Sequence, residues 1–108
     1  MNSLNSILIE GECVDEPRDV DTGTGFRCDF RIKSVHIDSS QTHEITFVDV
    51  EASGRLGIMV EATLKPGRSV RVVGRLREVR QQGEDGKVQS SLKIVAEHVE
   101  FQPRRMEA

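Results

Sequence analysis

From Phe26 to Lys33 apolar and charged residues alternate, with Phe26, Cys28, Phe30 and Ile32 on one parity and Arg27, Asp29, Arg31 and Lys33 on the other. Successive side chains of a strand point to opposite faces, so this segment predicts a strand with one buried and one solvated face. Runs of β-branched residues between turn signals predict four more. A first strand covers about Leu4 to Val14 and stops at Asp15-Glu16-Pro17, because proline has no amide proton to give to a ladder. The second strand is the alternating segment itself, opened by the Gly23-Thr24-Gly25 turn. A third, about Glu44 to Ala52, follows the polar loop around Asp38-Ser39-Ser40-Gln41. A fourth, Ser69 to Gln81, turns Val70, Val72 and Leu76 inward, and Gly74 on that face marks a sharp bend or bulge. The turn Glu84-Asp85-Gly86, with its Asp-Gly hairpin signal, leads into a fifth strand, Lys87 to Phe101.

Between the third and fourth strands Gly54 to Leu64 abandons the period of two. Leu56, Met59, Val60 and Leu64 recur near helical spacing, and Lys65-Pro66-Gly67 ends the segment with residues that commonly stop helices. Three strands, a short helix and two strands form the order of the OB fold, an all-β, five-stranded, partly open Greek-key barrel. The reading gives one domain over residues 1–102, with 103–108 as a short flexible tail.

Apolar residues make up 36% of the 108 and charged residues 31%, which excludes both a disordered chain and a membrane-embedded one. The apolar run Ile7-Leu8-Ile9 is too short for a signal-peptide core, so a cytoplasmic, nucleoid-associated protein is expected. Cys13 and Cys28 lie fifteen residues apart without a CxxC companion, and His36, His43 and His98 have no paired spacing with each other or with the cysteines. Neither pattern makes a metal cage, and the cysteines read as small buried thiols. Gly23-Thr24-Gly25 lacks the following helix and lysine of a phosphate-cradling loop, and reads as a turn. Asp49 and Glu51 share a face, but two acids without a metal cluster do not make a nuclease. No cofactor and no catalytic residue is expected, and the chain does not read as an enzyme.

The formal charge of −3 argues at first against a polyanionic partner. Its distribution points the other way. Residues 1–24 carry six acids against one base, whereas residues 65–93 carry eight bases against three acids. A phosphate responds to the local patch, because charges beyond roughly 8 Å are screened at physiological salt.

Four segments in order resemble the bacterial single-stranded DNA-binding protein family: Ile7-Leu8-Ile9-Glu10-Gly11 with Asp15-Glu16-Pro17; Phe47 to Leu56 at the strand-to-helix junction; Leu64-Lys65-Pro66-Gly67 through Leu76; and Asp85-Gly86-Lys87 with Ile94 to Phe101. The resemblance covers about residues 4 to 102. It implies an OB domain that self-associates, as a tetramer or dimer, and wraps single-stranded DNA in replication, repair and recombination, in company with replication and repair proteins and away from membranes. Such proteins combine stacking platforms with a cationic groove. This sequence departs from the family in having no Trp or Tyr; Ser53 and Gln81 fall where rings are usual, and Phe47 keeps one. It also stops short of the family's acidic tail, as a truncated chain or a specialised paralogue would. The resemblance extends to the primosomal replication protein, which likewise lacks tail and tryptophans, so an OB module for protein contacts is the alternative.

Parity nominates the binding residues independently. Arg27, Arg31 and Lys33 lie opposite the apolar face of the second strand, and Arg71, Arg75 and Arg77 opposite that of the fourth. With Arg80, Lys87 and Lys93 from the last hairpin, these side chains are expected to form one basic track. Arginine suits the task because its planar fork grips phosphate oxygens in pairs and lies flat on bases. Outward arginines also serve simply as solubilising groups, and the set is distinguished from that reading by its shared register on two strands. Phe47, on the parity opposite Val48 and Val50, reads either as a base platform or, with Ile45 beside it, as an oligomer contact. A groove of this kind scarcely distinguishes DNA from single-stranded RNA.

Overall fold

In a computed structural model of the chain residues 1–103 are described, so the tail expected at 103–108 lies, apart from Pro103, outside the described residues. The elements run β1 (Ile7–Cys13), β2 (Arg18–Asp21), β3 (Phe26–Ile37), β4 (His43–Ser53), α1 (Gly54–Thr63), β5 (Ser69–Gln82) and β6 (Val88–Phe101). The sheet order is β1-β5-β6-β4-β3-β2, and an additional pairing of β1 with β3 closes five of the strands into a barrel. All pairings are antiparallel except β4 with β6, which is parallel over Asp49–Glu51 and Lys93–Val95. This is the strand order of the OB barrel expected from the sequence.

The alternation holds along β3 and β5, while the apolar parity of β6 changes after Ala96 and Glu51 of β4 is buried between Val50 and Ala52. Cys28, Phe30 and Ile32 of β3, Val50 and Ala52 of β4, Val70 and Val72 of β5, and Ile94 and Ala96 of β6 meet in one core. From α1 and its end, Val60 and Leu64 enter that core completely buried. Burying such side chains contributes about 1.5–3 kcal/mol each. Met59, expected on the same helical face, is 38% exposed instead, because the helix turns Leu56 and Val60 toward the barrel and Met59 past its rim. Both cysteines are buried free thiols, and burial pushes each pKa up to about 11.

Three local features differ from or sharpen the sequence reading. First, β1 begins at Ile7 rather than Leu4, yet its register is carried on by a side chain: Asn5 Nδ2 donates to the Leu76 carbonyl at 2.8 Å and Asn5 Oδ1 accepts from the Leu76 amide at 2.9 Å. Second, β2 is a strand of four residues not expected from the sequence, pairing Arg18 with Asp29 and Asp21 with Phe26 through the Thr22–Gly25 turn. Third, Gly74 does mark a bulge. The register of β5 against β6 shifts between Val73 and Gly74, and a Cβ at Gly74 would run into the Val95 carbonyl. Gly11 has a comparable role where β1 closes on β3, since a Cβ there would stand 2.8 Å from the Lys33 carbonyl.

Candidate nucleic-acid interface

The parallel pairing of β4 with β6 ends at Asp49 and Lys93, and beyond it two long hairpins separate: β3–β4 on one side and β5–β6 on the other. The gap between them, bounded also by the β1–β2 connection, is a cleft of about 700 Å³. Arg18, Arg27, Arg31 and Lys93 line it, together with Asp15, Glu16, Asp29 and Asp49, and Val79, Gln81, Ser91 and Leu92 form the β5–β6 side.

Register explains this assembly. Arg77 pairs with Lys93, Lys93 with Asp49 and Asp49 with Arg31, so one row of side chains crosses four strands. The adjacent row runs Arg18, Asp29, Glu51, Val95, Arg75. On the outer part of the β3–β4 hairpin, Lys33 stands beside Phe47, Val35 beside Ile45 and Ile37 beside His43. The guanidinium of Arg31 lies 5.4 Å from the centroid of the Phe47 ring. Phe47, Ile45, Val35 and Ile37 are all about half exposed on this face.

The sequence-nominated cations therefore divide. Arg27, Arg31 and Lys93 line the cleft, Arg77 and Arg75 adjoin it on β5, and Lys33 and Phe47 extend it along the β3–β4 hairpin. Arg80 lies on the exposed end of β5, beside Glu78, and Lys87 at the tip of the β5–β6 hairpin. Arg71 is elsewhere. It sits on the wall made by β1, β5 and β6, between Glu10 at 2.7 Å and Glu100 at 3.5 Å. The hydrogen bonds it donates to Glu10 raise the Arg71 pKa above its ordinary value.

One expectation needs correction. The track of cations is not an uninterrupted positive strip but a ladder in which acids alternate with bases. Arg27 makes a two-point contact with Asp29 at 2.9 and 3.0 Å. Arg31 faces Asp49 at 3.5 Å. Arg77 and Lys93 both contact Glu51, the latter at 3.0 Å. Glu51 is the one buried charged side chain among the described residues, and it is tolerated because two cations compensate it. Parity locates the cations and the acids on their outward faces but not which of them the pairing of strands sets side by side. Asp29, Asp49 and Glu51 share the same outward parity in the sequence, whereas Arg18 carries no sequence signal, since its strand has a single half-buried residue, Val20.

The closed barrel with its short helix is an OB fold, the class of small barrel that presents a cleft of this kind between hairpins. The profile of the Single-strand binding protein family matches residues 4–102, and the chain belongs to that family. Among solved structures, the small single-stranded DNA-binding protein from Streptomyces coelicolor matches with a TM-score of 0.77 at 24% sequence identity, covering 94% of this chain and 96% of that one. At such identity the likeness speaks for the fold. No helix among the described residues is long and apolar enough to cross a membrane.

Proposed function

We propose that this chain binds single-stranded DNA without regard to sequence, as a homo-oligomer, in replication, repair and recombination. Binding rather than catalysis is its role. The observation that carries the reading is the row Arg31, Asp49, Lys93 along the cleft with Arg77 adjoining it on β5, three cations to one acid, continued along the β3–β4 hairpin by Lys33 and Phe47. Membership in a single-strand binding family supports it. The proposed contacts are Arg27, Arg31, Lys33, Arg75, Arg77, Arg80 and Lys87 for phosphates and Phe47 for a base, with Lys93 as the covered cation of the same row, held by Glu51. Arg71 is left out, because its guanidinium is already held by two carboxylates on another wall.

The mechanism is ion exchange. A phosphate entering the cleft replaces a carboxylate at a guanidinium, so each contact gains only the difference between two ion pairs. Stacking adds about 1–3 kcal/mol per base where a ring is present, and Phe47 is the one phenylalanine on this face among the described residues. The affinity is accordingly modest and dominated by counterion release, which steepens the salt dependence by about 0.7 logarithmic units per phosphate neutralised on a single strand. Self-association is supported by the edge of β1: from Ile7 to Gly11 it pairs with β5 on one side and has no strand on the other among the described residues, with Leu8 exposed.

Fluorescence titration of labelled oligo-dT at two salt concentrations, beside light scattering, tests the reading. The expected result is measurable binding at low salt that weakens steeply as salt is added, by a particle larger than a monomer. Salt-insensitive binding removes the exchange mechanism. A folded protein that ignores oligo-dT at low salt removes the function, and favours instead a module for protein contacts, for which the exposed stripe Val35, Ile37, Ile45 and Phe47 is the supporting feature.

A further inference from the structure

Two cations share the buried carboxylate of Glu51, and they are not equivalent. The Arg77 side chain is 42% exposed, that of Lys93 16% and that of Glu51 5%. The carboxylate cannot be left alone in such a place, since a buried charge without a partner costs several kcal/mol. It can, however, lose one of two partners. Arg77 reaches it from β5, with much of its length in solvent, whereas Lys93 sits on the strand paired directly beside β4 and is largely covered.

We propose that Glu51, beside the cleft, occupies the place of a phosphate and sets the affinity of the site: Arg77 exchanges between Glu51 and the strand, while Lys93 stays behind as the resident counterion. This deepens the strand-binding reading and rests on it. Arg77 is then the binding group, and Glu51 and Lys93 are positioning residues. Lys93 does not itself take a phosphate; it makes the departure of Arg77 tolerable. The same geometry explains why three cations in a row need not give tight binding. One of them is permanently committed, and a second must leave an internal anion before it meets an external one.

A double-mutant cycle read by oligo-dT titration separates this from a bulk charge effect. Glu51→Gln keeps an oxygen acceptor for both cations but removes the charge, and is expected to tighten binding about fivefold at low salt. In an Arg77→Gln background the same change is expected to gain nothing. Lys93→Met ties Arg77 to Glu51 and weakens binding about fivefold, and adding Glu51→Gln to it restores affinity at least to that of the unmodified protein. The combined Glu51→Gln, Lys93→Met protein leaves no unpaired buried charge at the node, since the remaining Arg77 guanidinium reaches solvent, so it keeps the test open should Lys93→Met alone fail to fold. Glu51→Gln that binds no tighter, or that tightens equally without Arg77, overturns the proposal. So does a double variant that is folded yet remains weak. Loss of oligo-dT binding by the unmodified protein would instead strike the function itself, so the two failures are distinguishable.

Discussion

Arg71 and Arg77 lie on the same strand and on the same parity, yet their surroundings are mirror images. Around Arg71 one cation stands between two acids, Glu10 and Glu100, all of them exposed. Around Arg77 two cations stand over one acid, Glu51, which is buried. The first node carries a net negative charge and has a guanidinium fully engaged; the second carries a net positive charge and has a guanidinium that can be spared. A strand's own alternation tells which way a side chain points. Whether it is available to a ligand is decided by what the next strand sets opposite.

The device that separates the two nodes is the bulge between them. Up to Val73 the strands pair so that Arg71 faces Glu100 and Val72 faces Val99; from Gly74 onward the register is shifted, and Arg77 faces Lys93 while Leu76 faces Ile94. Without the shift, the odd-numbered apolar positions near the end of β6 and the even-numbered ones at Ile94 and Ala96 could not both enter the core. Gly74 makes it possible, because its backbone passes so close to the Val95 carbonyl that no Cβ fits. The largest expected effect therefore comes from Gly74→Ala. In an ordinary strand this change is mildly stabilising, but here the clash with backbone reverses the sign and costs about 2–4 kcal/mol. Denaturant unfolding measures it, and an unchanged midpoint would show that the two halves of β5 do not depend on this close approach.

Much of this architecture is legible in the residues alone. The alternation from Phe26 to Lys33 marks the core face of β3, the Asp85-Gly86 pair marks the β5–β6 hairpin, and Gly74 signals the bulge. The change of apolar parity along β6, from Ile94 and Ala96 to Val99 and Phe101, carries the same message in a second place. What cannot be read is register between strands. Asp49 and Glu51 are visible as two outward acids, but only the pairing of Asp49 with Arg31 and Lys93 turns them into part of a ladder. Arg18 is out of reach for a different reason: a strand of four residues is too short to show a period, and its pairing is supplied by the neighbour.

A smaller effect is expected from restoring a ring to the cleft. Gln81 lines the β5–β6 side, opposite the cationic row, where the resemblance to the family leads one to expect an aromatic residue. Gln81→Trp supplies a π-face to a base whose phosphates the arginines already hold. At about 1–3 kcal/mol per stacked base, binding to oligo-dT is expected to tighten about tenfold. Stacking releases no counterions, so the salt slope is expected to stay unchanged while the whole curve shifts. A tryptophan that leaves affinity unaltered would mean the strand does not pass along this side of the cleft.

The smallest effect sharpens the comparison most. Arg71→Gln and Arg31→Gln remove the same charge from outward-facing positions, so any long-range contribution to the protein's field is alike. At physiological ionic strength that contribution is screened beyond roughly 8 Å, which leaves the local contact to decide. Arg31 faces a single exposed carboxylate, Asp49, at 3.5 Å, a pair worth at most about 1 kcal/mol, so a phosphate displaces it readily. Its loss is expected to reduce the salt slope by about 0.7 and to weaken binding severalfold. Arg71, held from both sides by Glu10 and Glu100, has no such freedom, and its replacement is expected to leave affinity within about twofold. Parallel titrations of the two variants at low salt give the answer directly. Equal losses would mean that the strand runs over the β1–β5–β6 wall as well, and that ion pairing does not decide which cations a polynucleotide can reach.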